Sequence, residues 1–152
     1  MTKLILPKTT LLLGGARSGK SAFAEDLAVK CGLKRFYLAT GRAYDGEMED
    51  RISKHQIDRG PEWTTIEQPV DIVQSLMQET ASDRIILVDC LTLWITNLMM
   101  AEKDIEQEIQ KLTASLSQLK GPTLFVSNEV GQGIVPDNAM ARAFRDHAGR
   151  LH

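Results

Sequence analysis

Cysteine is scarce in this chain. Its 152 residues carry two, Cys31 and Cys90, far apart and with no third or fourth partner, which makes neither a zinc site nor a disulfide framework. Long hydrophobic runs are missing too: none approaches the roughly 20 residues of a membrane-spanning helix, so no membrane span is expected. Residues 1–10 hold lysines and a very short apolar stretch without a small-residue cleavage site, which is not the pattern of a signal peptide. The expected location is the cytoplasm. An excess of charge of one sign is also lacking. Eighteen Lys and Arg stand against 20 Asp and Glu, for a formal net charge of −2. Such a chain presents no basic field for a polynucleotide, and nucleic acid is not an expected partner. No repeat, linker or low-complexity tract divides the sequence, and its length suggests one domain spanning residues 1–152. What the chain does have is 43% apolar residues, enough for an ordinary core.

Directly after the apolar run from Thr10 to Leu13 comes Gly14-Gly15-Ala16-Arg17-Ser18-Gly19-Lys20-Ser21. Every fixed position of the G-x-x-x-x-G-K-[ST] phosphate-binding loop is present, with a strand before it and a helix after it. Such a loop aims backbone N–H groups into a concavity for phosphate oxygens, and the helix N-terminus adds partial positive charge. In this pattern Lys20 reaches the β- and γ-phosphates and the Ser21 hydroxyl ligates Mg²⁺. A nucleoside triphosphate is therefore the expected ligand.

Along the chain, apolar β-prone runs alternate with helical stretches. Leu11–Leu13, Arg35–Ala39, Trp63–Ile66, Arg84–Val88 and Thr123–Ser127 read as strands. Ser21–Cys31, Asp71–Gln78, Leu91–Met100 and Ile105–Leu119 read as helices, as do the polar periodic segment from Asp45 to about Asp58 and the terminal Asn138–Leu151. Ile72, Val73, Leu76 and Met77 form the expected apolar stripe of one helix, and Ile105, Ile109, Leu112, Leu116 and Leu119 that of another. The alternation argues for an α/β fold, a mainly parallel sheet with helices on both faces, of the P-loop (RecA-like) kind. Ligands in such a sheet sit at the carboxyl ends of the strands.

A phosphate-binding loop needs an acid to hold Mg²⁺. Ile85-Ile86-Leu87-Val88-Asp89 supplies one where a buried strand should emerge, the Walker B arrangement, and assigns Asp89 to the metal. The strand Thr123–Ser127 leads likewise to Asn128 and Glu129, which either orient a water or substrate hydroxyl or form a turn and helix cap. His147 and His152 carry no catalytic signal, and spacing alone gives none to His55.

These segments together resemble the bifunctional adenosylcobinamide kinase / adenosylcobinamide-phosphate guanylyltransferase family. The resemblance runs from Gly14–Ser21 through Ala39-Thr40, Arg51-Ile52 with His55, Trp63 and Glu67. It continues through Asp89, Leu91-Thr92, Thr96-Asn97-Leu98, Ser127–Pro136, Arg145-Asp146 and Ala148-Gly149-Arg150. It covers nearly the whole chain, and Asn128-Glu-Val-Gly-Gln-Gly-Ile-Val-Pro136 is more specific than the phosphate loop. The resemblance implies two reactions. ATP or GTP phosphorylates the aminopropanol hydroxyl of adenosylcobinamide; GTP then gives its GMP to that phosphate through a histidine–GMP adduct. His55 is the histidine that aligns, and neutral imidazole suits the role of nucleophile.

By the same resemblance, Ala39, Thr40 and Gly41 and the run Gln56-Ile57-Asp58-Arg59 line the nucleotide site. Arg59 clamps phosphate oxygens, and Glu67 accepts the guanine N1–H and N2–H₂ pair. Lys20 and Mg²⁺ neutralise the departing pyrophosphate. A homotrimer is implied. Two departures stand out. The family commonly has Arg-Pro where this chain has Arg59-Gly60, with Pro61 one place on, which bears on loop shape. The chain also stops inside the expected last helix, about one strand short of the family pattern. A kinase without guanylyl transfer, which has no need of His55, and a nucleotide-binding subunit without turnover are the alternatives.

Overall fold

In a computed structural model of the chain, residues 8–14, 20–41 and 60–128 are described, with the backbone alone at 13, 14, 20, 21 and 128. The helices expected at 45–58 and 138–151 lie outside these residues. The elements are β1 (Thr9–Gly14), α1 (Lys20–Cys31), β2 (Lys34–Ala39), β3 (Trp63–Glu67), α2 (Ile72–Glu79), β4 (Arg84–Asp89), α3 (Leu91–Met100), α4 (Ile105–Ser115) continued by a 3₁₀ turn (Leu116–Gln118), and β5 (Thr123–Asn128).

The described strands form one parallel sheet in the order β1-β5-β4-β2-β3. β5 therefore lies between β1, which leads into the phosphate loop, and β4, which ends in the acid. The centre of the sheet is apolar on both faces, as a parallel sheet covered by helices requires. In β4, Ile85, Ile86, Leu87 and Val88 are all buried. Successive side chains point to opposite faces. Leu38, Ile86, Val88 and Phe125 pack against α2, α3, α4 and the 3₁₀ turn through Ile72, Leu76, Trp94, Leu98, Leu112 and Leu116. Tyr37, Ile85, Leu87, Leu124 and Val126 pack on the other face against Ala24, Ala28 and Cys31 of α1. Helices thus cover both faces, as the sequence pattern implies.

Two stripes differ from expectation. In α2, Ser75 is buried beside Ile72 and Leu76, while Met77 is 39% exposed. At 100° per residue Met77 falls about 140° from Ile72, off the core face, whereas positions 75 and 76 lie on it. The helix expected over Ile105–Leu119 ends as an α-helix at Ser115. There Ser115 Oγ donates to the Leu112 carbonyl at 2.6 Å and the chain tightens into the 3₁₀ turn. With three residues per turn, Leu116 and Leu119 still share a side, and both are buried.

Candidate active site

The carboxyl ends of the five described strands lie in a row: Gly14, Asn128, Asp89, Ala39 and Glu67. The register aligns Ala39 with both Asp89 and Glu67 and Gly14 with Asn128. At about 4.8 Å between neighbouring strands, Asp89 and Glu67 flank Ala39 roughly 10 Å apart, while Asp89 aligns through Val126 with Leu12, two residues short of the β1 exit at Gly14. Lys20 and Ser21 open α1, which packs on the face that carries Tyr37, Ala39 and Trp63. Asp89 and Glu67 share that parity along their strands. The acid at the end of β4 and the start of α1 are therefore on one side of the sheet. Gly15 to Gly19 fall outside the described residues, as do His55, Gln56, Ile57, Asp58, Arg59 and Glu129.

Asp89 is the last residue of β4 and half-buried. The Tyr37 hydroxyl donates to its Oδ2. Tyr37 is itself buried and meets the Trp63 ring edge-on, with centroids 6.1 Å apart and planes at 79°. Arg35 lies over the same indole at 5.6 Å and pairs with Glu62. A line of contacts on the α1 side thus connects β3, β2 and the acid.

Thr40 occupies the other side of the same edge. It is fully buried, and its Oγ1 donates to the Cys90 carbonyl at 2.7 Å while accepting the Cys90 N–H at 2.8 Å. Its own N–H donates to the Asp89 carbonyl at 3.1 Å. The peptide between Asp89 and Cys90 is cis. Asn97 of α3 donates from Nδ2 to the carbonyls of Thr40 (2.7 Å) and Pro69 (2.9 Å), and Trp94 Nε1 donates to Val70 O at 2.7 Å. One helix therefore ties down the exits of β2 and β3. Between α3 and β5, the hydroxyls of Thr92 and Ser127 are 3.2 Å apart.

Of the expected site residues, Gly14, Ala39, Thr40, Gly41, Glu67 and Asp89 sit along this edge, and Lys20 and Ser21 begin the adjoining helix. Tyr37, Asn97, Thr92 and Ser127 were not among the candidates. Their signal is a polar group inside an apolar run, which must find a partner once buried.

Comparison with known proteins bears on what this edge serves. Residues 10–152 match the family described as cobinamide kinase / cobinamide phosphate guanyltransferase. The chain belongs to this family. Within it, the chain is 45% identical to the bifunctional adenosylcobalamin biosynthesis protein CobP of Pseudomonas aeruginosa over 144 residues, 93% of this chain and 83% of that protein. It is 38% identical to the bifunctional adenosylcobalamin biosynthesis protein CobU of Salmonella typhimurium, over 93% of this chain and 86% of that protein. Among solved structures, the flagellar accessory protein FlaH of Methanocaldococcus jannaschii superposes with a TM-score of 0.55 at 13% identity, covering 90% of this chain and 67% of FlaH. That likeness concerns the fold alone: a RecA-like P-loop α/β architecture.

In this cobinamide kinase / guanyltransferase chain the donor set suits Mg²⁺. Among the described residues no three His, Cys, Asp or Glu gather into a cage. The strand-end carboxylate of Asp89 is instead a hard oxygen donor of the kind that shares Mg²⁺ with substrate phosphates.

Proposed function

We propose that the chain catalyses two steps of cobalamin assembly at the carboxyl edge of its sheet. In the first, the aminopropanol hydroxyl of adenosylcobinamide attacks the γ-phosphorus of ATP or GTP, and the β–γ bridging P–O bond breaks to release the diphosphate. In the second, an imidazole nitrogen of His55 attacks the α-phosphorus of GTP and pyrophosphate leaves. The adenosylcobinamide phosphate oxygen then displaces His55, breaking the P–N bond and giving adenosylcobinamide-GDP. One hard displacement becomes two easier ones.

Gly14, Gly15, Ala16, Arg17, Ser18 and Gly19 cradle the phosphates by backbone N–H groups, and Lys20 neutralises their charge. Ser21 and Asp89 hold Mg²⁺, which supplies further neutralisation of the transferring phosphates. Ala39, Gly41, Gln56, Ile57, Asp58 and Arg59 line the nucleotide, and Glu67 accepts from the guanine edge. Thr40 serves by shaping the edge, because its hydroxyl is occupied by the Cys90 backbone. The functional unit is a cytoplasmic homotrimer.

The observation that carries the reading is the placement of Asp89: it closes β4 on the face that α1 covers, with Glu67 in register one strand beyond Ala39. The test uses GTP radiolabelled at the α-phosphorus. Incubated with Mg²⁺ and denatured, the wild type should carry acid-labile, alkali-stable label, and His55→Ala none. A folded, GTP-binding wild type that takes no label leaves a kinase alone. Failure to consume nucleotide in a cobinamide-dependent way as well leaves a binding subunit.

A further inference from the structure

We infer that Tyr37 is a positioning residue for the metal-ligating carboxylate of Asp89. The inference rests on the reading of Asp89 as a metal ligand and extends it to a residue that has no place in the phosphate-loop or strand-end motifs.

Three observations carry it. First, Tyr37 and Asp89 stand on adjacent strands two register positions apart, since Tyr37 aligns with Leu87 and Ala39 with Asp89. The phenol spans this diagonal and donates to Asp89 Oδ2. A carboxylate ending a strand rotates about its terminal torsion unless something takes one of its oxygens, and a hydroxyl donor at Oδ2 fixes the plane of the group. Second, the tyrosine is itself held. It is buried in the sheet face under α1 and its ring edge packs on Trp63, whose indole is covered by Arg35. The donor is pre-placed rather than recruited when ligand arrives. Third, the backbone beneath the carboxylate is fixed independently from the opposite face, where Thr40 brackets Cys90 and takes the Asp89 carbonyl. Main chain and side chain of the acid are thus set by Tyr37 of β2 and by Thr40, the residue just past its end. Outer partners of this kind orient metal ligands, and removing one typically lowers metal affinity by about 10- to 100-fold.

The experiment measures binding of a fluorescent GTP analogue to Tyr37→Phe, Asp89→Asn and the double variant, in EDTA and across a Mg²⁺ titration. Tyr37→Phe should bind as wild type in EDTA but need about tenfold more Mg²⁺ for half-maximal tightening. In the Asp89→Asn background the same change should have no further effect on the Mg²⁺ dependence. Wild-type Mg²⁺ dependence in Tyr37→Phe, with Asp89→Asn impaired, overturns the role of Tyr37 and leaves Asp89 as ligand. Wild-type Mg²⁺ dependence in Asp89→Asn removes the metal assignment and this inference with it. Equal weakening of Tyr37→Phe with and without Mg²⁺ also overturns it, because that is a packing effect.

Should Tyr37→Phe not fold, fluorine NMR of otherwise native protein labelled with meta-fluorotyrosine decides. Tyr44 is the one other tyrosine, and Tyr44→Phe assigns the Tyr37 resonance. Adding Mg²⁺ to the GTP-bound protein should shift that resonance, and Asp89→Asn should abolish the shift. An unmoved Tyr37 resonance overturns the inference.

Discussion

At the residue scale, Thr40 shows how a buried hydroxyl comes to shape a site. Its Oγ1 both donates to and accepts from the Cys90 backbone, 50 residues away in sequence. Thr40→Val keeps the shape and removes both bonds; the Cys90 carbonyl still accepts the Trp94 N–H at 3.2 Å, so the main loss is the bond to the buried Cys90 N–H, at about 1–3 kcal/mol. We expect Thr40→Val to lose about 2 kcal/mol of stability, and Thr40→Ser, which keeps the hydroxyl, about 1 kcal/mol. Urea midpoints at unchanged slope are the measurement; equal losses for the two variants would exclude the hydroxyl as the cause. Cys31 makes a pH-dependent contribution. Burial at the end of α1 against the sheet pushes its thiol above the ordinary value of 9.0, because a low-dielectric site disfavours thiolate. A folded-state value raised above the unfolded one gives stability that is present at neutral pH and lost as pH rises through the folded value. Cys31→Ala should therefore flatten the alkaline limb of the stability curve above pH 9.0, measured by denaturant midpoints across that range. The chain composition does not disclose these partnerships. Ala39-Thr40 and Asp89-Cys90 become neighbours only through the β2–β4 register, so the sequence assigns Thr40 to the nucleotide site without disclosing its bonds to Cys90, and Tyr37 reads as one more strand aromatic. Asp89, by contrast, is legible, because an acid ending an apolar run needs no distant partner to be noticed.

At the element scale, most of the architecture is legible, because burial imposes periodicity. Arg84–Val88 reads as a strand from its unbroken apolar run, and both faces of β4 are buried. Ile109 and Leu112 mark the core side of α4 by their spacing and are buried. The illegible parts are where local geometry changes period: the 3₁₀ tightening after Ser115, or Met77 turned off the face that Ser75 occupies. Caps and crossings give sharper tests. Asp104 caps α4 by accepting the Gln107 N–H at 3.1 Å, with Glu106 and Glu108 in the first turn. Asp104→Ala should cost about 1 kcal/mol, read as a lower urea midpoint, and Asp104→Ser should restore most of it. The turn into β5 is far less tolerant. A Cβ on Gly121 would sit 2.6 Å from the Arg84 carbonyl oxygen and closer still to that of Ala81. Both obstacles are backbone, which cannot swing away as a side chain can. Gly121→Ala should cost about 3 kcal/mol or more; a midpoint within error of wild type would mean that the β4 and β5 approaches are looser than the structure shows. Thr80, whose Oγ1 accepts the N–H groups of Lys120 and Gly121, holds that crossing closed.

For the whole molecule, the parallel sheet with helices on both faces follows from the alternation of elements, but the strand order does not. Pattern alone does not say that β5 lies between the loop strand and the acid strand; that depends on which connections cross the sheet. The order matters because it sets Asp89 two strand spacings across from β1 and two residues short of its exit at Gly14, roughly 12 Å from that exit, a gap for phosphates and a cation to fill. A ligand that closes this gap binds only the folded chain, so it stabilises by mass action, about 2.7 kcal/mol at a hundredfold excess over Kd. For a chain near 150 residues this is a rise of roughly 5–10 °C in Tm. We expect GTP with Mg²⁺ to give that rise, GTP with EDTA a smaller one, and Asp89→Asn to respond equally to both. If Glu67 takes the guanine edge as proposed, Glu67→Gln should lower the response to GTP and leave that to inorganic triphosphate unchanged. Thermal melts across these combinations separate the two ends of the nucleotide. A Glu67→Gln variant that responds to GTP as wild type would put guanine recognition elsewhere on the edge. An Asp89→Asn variant that keeps the Mg²⁺ increment would place the cation away from β4.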